Sequence, residues 1–448
     1  MNDIVNKISG SVYEACQIDK DLFDQYNVKR GLRNADGTGV LVGLTNVGDV
    51  VGYEKDADGK IIPVEGILRY RGYSINDLVK GCQADHRHGF DETVFLLLTG
   101  KLPTKDELDL FSTHMAASRD LDENFTQMIL ALRGKDMMNM LARSVLVLYT
   151  LDDTAEDYSL PSLLRQSLNL IAKLPAIVAY SYSGMRHAYH RKTLTIRHPN
   201  EELSFAENFL YMVKGRTFTP IEAELLDLAL MLHADHGGGN NSTFTTRLVS
   251  STMTDTYSAI AAGIGSLKGR LHGGANLQVL EMIENIKKHV KHWDSEAEVK
   301  EYLMKILRGE AYDKSGKIYG VGHAVYTISD PRAVLLKERA EQLAREKGML
   351  DEYNLYTLIE KLAPIAFQEY KGDTKRVCVN VDFFSGFVYE AIGIPKELFT
   401  PIFAISRMAG WSAHRLEEVT FSSRRIIRPA YKNIYPCADN YPPLSERK

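Results

Sequence analysis

The stretch Thr219-Pro220-Ile221-Glu222-Ala223-Glu224-Leu225-Leu226-Asp227-Leu228-Ala229-Leu230-Met231-Leu232-His233-Ala234-Asp235-His236-Gly237-Gly238-Gly239 sets the fold class. Ile221, Leu225, Leu228 and Leu232 recur at the spacing of one helix face, with Glu222, Glu224 and Asp227 among the remaining positions. Threonine then proline suits an N-cap followed by the first helical position. The three glycines stop the helix, so His233 and His236 are delivered at its C-terminal end. Similar periodicity covers roughly 105–120, 136–151, 161–182, 254–268, 275–290, 295–308, 332–347 and 396–419. Strand signal is confined to segments near 38–53 and 61–71, with Asp58-Gly59 turn chemistry between them. The expectation is a mainly α protein with a small N-terminal β hairpin. The basic, polar segment 183–201 (Gly184, Arg186, His187, Arg191, Lys192) reads as a loop or short insertion.

Composition narrows the function classes. A chain of 448 residues buries a large core and favours two lobes. Hydrophobic residues at 44% and charged residues at 25% are the balance of a soluble globular protein. A formal charge of −4 leaves no basic footprint for nucleic acid. Cys16, Cys82, Cys378 and Cys437 are scattered, without C-x-x-C spacing, which fits a reducing compartment better than a disulfide framework or zinc ribbon. The N-terminus lacks the pattern of a secretory signal, and no apolar run is long enough to span a bilayer. A cytoplasmic protein without a membrane partner is expected.

Four glycine-rich or apolar settings hold the residues with chemistry. The first continues the opening stretch: His236, then Gly237-Gly238-Gly239-Asn240. The glycines let the backbone bend and approach a ligand, so His236 and Asn240 can bond an anion. A metal reading of His233 with His236, and a purely structural one, stand beside it; H-E-x-x-H is absent. The second is Leu271-His272-Gly273-Gly274-Ala275-Asn276, read as a histidine at the start of a helix, where the dipole disfavours the imidazolium. The third is Tyr319-Gly320-Val321-Gly322-His323, followed by Asp330-Pro331-Arg332. It is neither a Rossmann fingerprint nor a phosphate loop, and its glycines are read as exposing backbone groups to a ligand. The fourth is Val379-Asn380-Val381-Asp382-Phe383-Phe384. A lone Asp there suits an N-cap, while its apolar neighbours would raise its basicity. One carboxylate with two imidazoles is what deprotonation next to a carbonyl requires: a base and two donors for developing oxyanions.

Together these segments resemble the citrate synthase family over most of the chain. Further matches are Ser406-Arg407, Arg428-Pro429, Tyr70-Arg71-Gly72-Tyr73 and the stretch Asp91–Thr104. Where the family commonly has proline before Asn-Val-Asp, this chain has Val379, which bears on loop rigidity and not on the base. The resemblance implies a two-domain helical fold: a large domain from 1–274 and 386–448, and an inserted mobile small domain over 275–385. It implies condensation of acetyl-CoA with oxaloacetate through an enolate, then hydrolysis of citryl-CoA. By it, Asp382 is the base, His272 the donor to the thioester oxygen and His323 the donor to the keto oxygen. His236, Asn240, Arg332, Arg407 and Arg428 would bind oxaloacetate. Arg428 would reach the site from a second subunit, which implies a homodimer; dimer and hexamer both remain open. Gly320, Val321, Gly322, Asn380 and Lys375 are the residues expected to meet coenzyme A. The thioester is a co-substrate, and neither a tightly bound cofactor nor a metal is expected.

The sequence leaves three alternatives. A 2-methylcitrate synthase would use the same machinery on propionyl-CoA. A metal-dependent hydrolase would use His233, His236 and His272. A silent binding protein of the same fold is disfavoured by the retained acid–base set.

Overall fold

The computed structural model describes residues 2–372, 376–435, 441 and 443–446. Among them it contains eighteen α-helices and one three-stranded sheet. In the sheet, β1 (Gly48–Lys55) pairs antiparallel with β2 (Ile61–Tyr70), which pairs with β3 (Tyr73–Ser74). Asp56 makes the hairpin turn: its Oδ1 accepts the amides of Asp58 at 3.0 Å and Lys60 at 2.8 Å. The first strand begins at Gly48, ten residues later than the sequence suggested; of residues 38–47, only Gly39 makes a bridge, to Arg33. The hairpin holds up the loop that carries His323. A Cβ on Gly52 would lie 2.5 Å from the Val325 carbonyl oxygen, and one on Gly66 2.1 Å from that of Ser329. Only glycine admits so close an approach.

The helices expected at 105–120, 136–151, 254–268, 275–290, 295–308 and 332–347 are present, with ends shifted by a few residues at most. One reading changes, and one helix that was not anticipated bears on the site. Helix Leu160–His190 runs on through residues 183–190, which were expected to be a loop, and stops at Arg191 with φ +53°. Thr195 then folds back on it, donating its amide to Ser183 Oγ and accepting from that hydroxyl. Helix Asn241–Ser250 has no apolar stripe and is rich in Ser and Thr, poor helix formers. Ser242, Thr243 and Thr246 are nonetheless fully buried, because the helix packs against helices Thr256–Leu267 and Phe399–Thr420. Tertiary packing overrides local preference there.

Helix Phe399–Thr420 is buried along most of its length. It touches helices Phe90–Thr99, Leu160–His190, Pro220–His233, Asn241–Ser250 and Thr256–Leu267. Arg407, His414 and Arg415 therefore project from a core helix and are themselves buried. A second group packs largely on itself: helices Ala275–His289, Glu296–Leu307, Pro331–Lys347, Leu350–Lys371 and Val381–Ile392. Helix Pro220–His233 contacts both groups. Among the described residues, no helix is long and apolar enough to cross a membrane.

Candidate active site

The site forms where helix Pro220–His233 ends and helices Pro331–Lys347 and Val381–Ile392 begin. The helix stops at His233, so His236 lies beyond it and the two do not share a helix face. His233 faces the core: Nδ1–H donates to the Ala229 carbonyl at 2.7 Å, and the ring lies 4.6 Å from Phe403. Burial first, then Arg332 and Arg407, bring its pKa down to about 3. His236 packs edge-on against His323, with ring centroids 5.1 Å apart, and its buried Nε2 has no hydrogen-bond partner. Burial, then the Arg332 cation, holds His236 well below the usual histidine range.

The two imidazoles expected to act as donors are held in opposite tautomers. His323 Nδ1 accepts the amides of Val325 and Tyr326, both at 3.0 Å, so its hydrogen is on Nε2. Its ring stacks on Tyr326 at 4.6 Å. His272 Nε2 accepts the Ser242 amide at 3.3 Å, so its hydrogen is on Nδ1. Ser242 Oγ lies 3.0 Å from the same nitrogen, takes the Trp411 indole N–H at 3.2 Å, and is 2.9 Å from Asn240 Oδ1. Burial is the main cause that brings both rings down to about 4, with Arg407 adding to it for His272 and Arg332 for His323. Both are neutral donors at pH 7. The helix N-terminus that meets His272 differs from the expected one. Helix Ala275–His289 does start where read, but the imidazole bonds to the first turn of helix Asn241–Ser250.

Asp382 lies in the first turn of helix Val381–Ile392, and its amide donates to the N-cap Asn380 at 3.1 Å. Because Asn380 does the capping, the Asp382 carboxylate is left for other work. Burial lifts it to about 6, partly offset by the Arg332 cation. Arg332 is already engaged. Its Nε and Nη2 grip Asp330 at 3.0 and 2.7 Å, and Asp330 also accepts the Val381 amide at 3.2 Å. The bidentate fork expected to meet a substrate carboxylate thus faces Asp330, leaving Nη1 and the outer Nη2 hydrogen for a ligand. Arg407 differs. Its Nε donates to the His233 carbonyl at 2.7 Å, while Nη1 and Nη2 are buried without partners. Burial brings its pKa down to about 10, so it remains a cation at neutral pH.

The glycine loop is clamped to the Asp382 segment. Gly322 donates its amide to the Cys378 carbonyl at 2.8 Å, the Gly320 carbonyl accepts from Asn380 at 2.9 Å, and Asn380 Nδ2 donates to the Gly322 carbonyl at 3.0 Å. Val321 bridges Val379. Several backbone groups expected to be open to a ligand are therefore used internally. Gly320 has φ +77°, and a Cβ there would stand 2.7 Å from Val279. Cys378 is buried, which pushes its thiol up to about 12 and fits packing rather than reactivity. Lys375 lies outside the described residues. Arg428 is exposed. Its neighbour Ile427 donates to Ser251 Oγ at 3.1 Å. That contact is just past the C-terminal end of helix Asn241–Ser250, about 15 Å along the helix from the end that holds His272. Among the described residues, no three His, Cys, Asp or Glu side chains gather in a way that could hold a metal ion.

Sequence reasoning missed three contributors. Ser242 orients His272. Phe403 lies beneath His233, 6.4 Å from the His272 ring and 4.8 Å below the Arg407 guanidinium. Trp411 holds Ser242. Phe403 and Trp411 each stand four residues from Arg407, so the helical repeat around that arginine was the available signal.

A family model described as "Citrate synthase, C-terminal domain" matches residues 36–430. The chain is 36% identical over 387 residues to a citrate synthase of Haloferax volcanii, covering 85% of this chain and 93% of that one. It is 32% identical over 372 residues to a 2-methylcitrate synthase of Shewanella oneidensis, covering 82% and 89%. A Thermoplasma acidophilum citrate synthase, solved as a ternary complex with carboxymethyl coenzyme A and oxaloacetate, superposes with a TM-score of 0.76 at 28% identity. That match covers 94% of this chain and 99% of the other.

Proposed function

The chain belongs to the citrate synthase family, whose members are acyltransferases, and on that premise we propose that it condenses acetyl-CoA with oxaloacetate and releases citrate and free coenzyme A. Oxaloacetate binds first, its carboxylates held by Arg407, the free edge of Arg332, His236 and Asn240. Asp382 takes a methyl proton from acetyl-CoA while His272 Nδ1–H donates to the thioester oxygen. The enolate carbon attacks the keto carbon, whose oxygen receives the His323 Nε2–H. Water then hydrolyses citryl-CoA. Neutral imidazoles suit both donor roles, since a developing oxyanion is stabilised without a full charge having to be desolvated first.

One observation carries this reading above all: Arg407 Nη1, Nη2 and His236 Nε2 are buried polar atoms with no partner. Such atoms destabilise a fold unless a ligand satisfies them. They stand beside a carboxylate raised to about 6, which is a base poised for proton abstraction.

The helices from Ala275 to Ile392 are proposed to close over the site as one lobe. A hinge belongs after Ile392 rather than at 385, because residue 385 falls inside a continuous helix. Coenzyme A enters as co-substrate along the Gly320–Gly322 loop and Asn380, with Lys375 as a phosphate partner. The protein is proposed to act in the cytoplasm as a homodimer, Arg428 completing the partner's site. The separation of Arg428 from its own His272 supports that. Mixing inactive Arg428→Ala and Asp382→Ala chains would then restore roughly a quarter of the parent activity, one complete site per mixed dimer. No recovery would place Arg428 outside the site.

The decisive assay is thiol release from acetyl-CoA and from propionyl-CoA, each with and without oxaloacetate. Oxaloacetate-dependent release favouring acetyl-CoA is expected. The Shewanella relative motivates the second reading, because one methylene changes affinity by only about 1–3 kcal/mol. A preference for propionyl-CoA would move the assignment to 2-methylcitrate synthase.

A further inference from the structure

The loop between His233 and Asn240 rests on a chain of polar groups, buried at Asp235 and His414 and reaching the surface at Thr45 and Asn46, that the catalytic scheme does not use. Asp235 and His414 are both wholly buried, at 0% exposure. His414 Nε2 lies 3.1 Å from Asp235 Oδ1. On its other side His414 Nδ1 is 2.9 Å from Arg247 Nη1, which can only donate, so the ring hydrogen is on Nε2 and points at Asp235. Arg247 is held by Glu417 at 2.7 Å and Glu418 at 2.9 Å. Glu417 also accepts from Thr45 Oγ1 and the Asn46 amide, both at 2.7 Å.

The output of this chain is the loop. Asp235 Oδ2 accepts the Gly237 amide at 2.8 Å, fixing the turn where Gly237 takes φ +72° directly after His236. The Asp235 carbonyl accepts from Tyr70 Oη at 3.2 Å, and the Ala234 carbonyl from the Gly410 amide at 3.1 Å. Space around the carboxylate is closed. A Cβ on Gly48 would lie 2.1 Å from Asp235 Oδ2, and one on Gly410 2.7 Å from Oδ1. Arg247 belongs to helix Asn241–Ser250, whose N-cap is Asn240, so the same network also holds the loop's far end. Burial pushes Asp235 up, but His414 and then Arg407 outweigh it and keep the carboxylate ionised.

We propose that Asp235 and His414 are positioning residues for oxaloacetate: the His414 N–H orients the Asp235 carboxylate, which sets the Gly237 turn and thereby aims His236 and Asn240 at the ligand. This rests on the reading of the site as an oxaloacetate site. A network that serves only the fold would affect stability. A positioning network changes oxaloacetate binding specifically.

The test compares His414→Leu, which removes the donor, with His414→Gln, which restores an N–H. Thiol release is measured with oxaloacetate varied at saturating acetyl-CoA, alongside thermal unfolding. The expected result is a rise in the oxaloacetate KM of at least about tenfold for Leu and within about threefold of the parent for Gln. Turnover at saturating oxaloacetate should stay within a few-fold for both. A folded Leu variant with unchanged oxaloacetate KM, or Leu and Gln variants with equal defects, would overturn the proposal. If the Leu variant does not fold, Gly48→Ala decides, because its Cβ intrudes on Asp235 Oδ2 from outside the network. A raised oxaloacetate KM supports the role and an unchanged one refutes it. Absence of oxaloacetate-dependent release in the parent protein would instead defeat the functional reading on which this inference rests.

Discussion

At its N-terminal end, helix Pro220–His233 buries Glu222 with its charge compensated: Lys214 Nζ lies 3.2 Å away, Lys347 pairs with it as well, and the Thr219 amide donates to it at 3.1 Å. At its C-terminal end the molecule buries Arg407 and His236 with Nη1, Nη2 and Nε2 left unpartnered. Both ends lie inside the same protein and both cost desolvation. One end meets its counter-charges within the fold, in two lysines. The other is left unpartnered, which is what the proposed oxaloacetate site requires. Lys214 also reaches the Ile392 carbonyl, and Lys347 ends helix Pro331–Lys347, whose first turn carries Arg332. The paired end therefore ties the C-terminal ends of the two helices whose N-terminal ends carry Arg332 and Asp382.

This contrast predicts that the two ends respond to mutation in opposite ways. The largest effect belongs to the reacting groups. Asp382→Ala and His272→Ala should each lower turnover on the order of 10²–10³, with the unfolding midpoint unchanged or raised for Asp382→Ala and modestly lowered for His272→Ala, which gives up the bonds to Ser242. Near-normal turnover in a folded Asp382→Ala protein would remove Asp382 as the base. Next, Arg407→Met should weaken oxaloacetate binding by about 10²-fold, the scale of lost charge-assisted hydrogen bonds. Urea unfolding should show a loss of no more than about 1 kcal/mol, because only the Nε bond to the His233 carbonyl is given up while two unpartnered buried nitrogens are removed. A destabilised variant that still binds oxaloacetate would reverse the comparison. Glu222→Ala should behave the other way. It should lose about 2–4 kcal/mol of stability, somewhat below a fully buried pair because both lysines are part-exposed, and keep turnover within about twofold.

The smallest effects are those of pH. Activity should fall below a pKa of about 6 as Asp382 takes up a proton. The stability sign follows from the same shift. The folded-state value is above the ordinary 3.8, so ionising Asp382 costs stability as pH rises from about 4 to about 6. Asp382→Asn should therefore be more stable than the parent at pH 7.5, with the gap closing below pH 4 in denaturation curves. His272 and His323 act in the opposite sense. Their folded values near 4 lie below the ordinary 6.5, so the stability they contribute is lost as pH falls between those values.

Much of this was legible in the residues. Apolar periodicity gave helix Pro220–His233 and its neighbours, because a 3.6-residue repeat leaves a trace in any buried helix face. Glycine-bounded histidines and the Asn-Val-Asp segment marked His236, His272, His323 and Asp382, which the structure brings to one place. Helix Asn241–Ser250 was not legible, since Ser and Thr supply neither an apolar stripe nor high propensity and its burial comes from other helices. The continuation of helix Leu160–His190 was hidden by its basic, polar composition for the same reason.

By itself, then, the sequence determined the helical class, most of the helices and the candidates for the reacting groups. Tertiary structure alone decided their states. Which nitrogen of His272 or His323 carries the hydrogen depends on amides supplied by Ser242, thirty residues away, and by Val325 and Tyr326. That Asp330 occupies the Arg332 fork while Arg407 stays open depends on which polar groups are left over when these helices meet. Side-chain spacing along a chain is local, but the pairing of a buried charge is settled by whichever neighbours the whole fold places within hydrogen-bond reach.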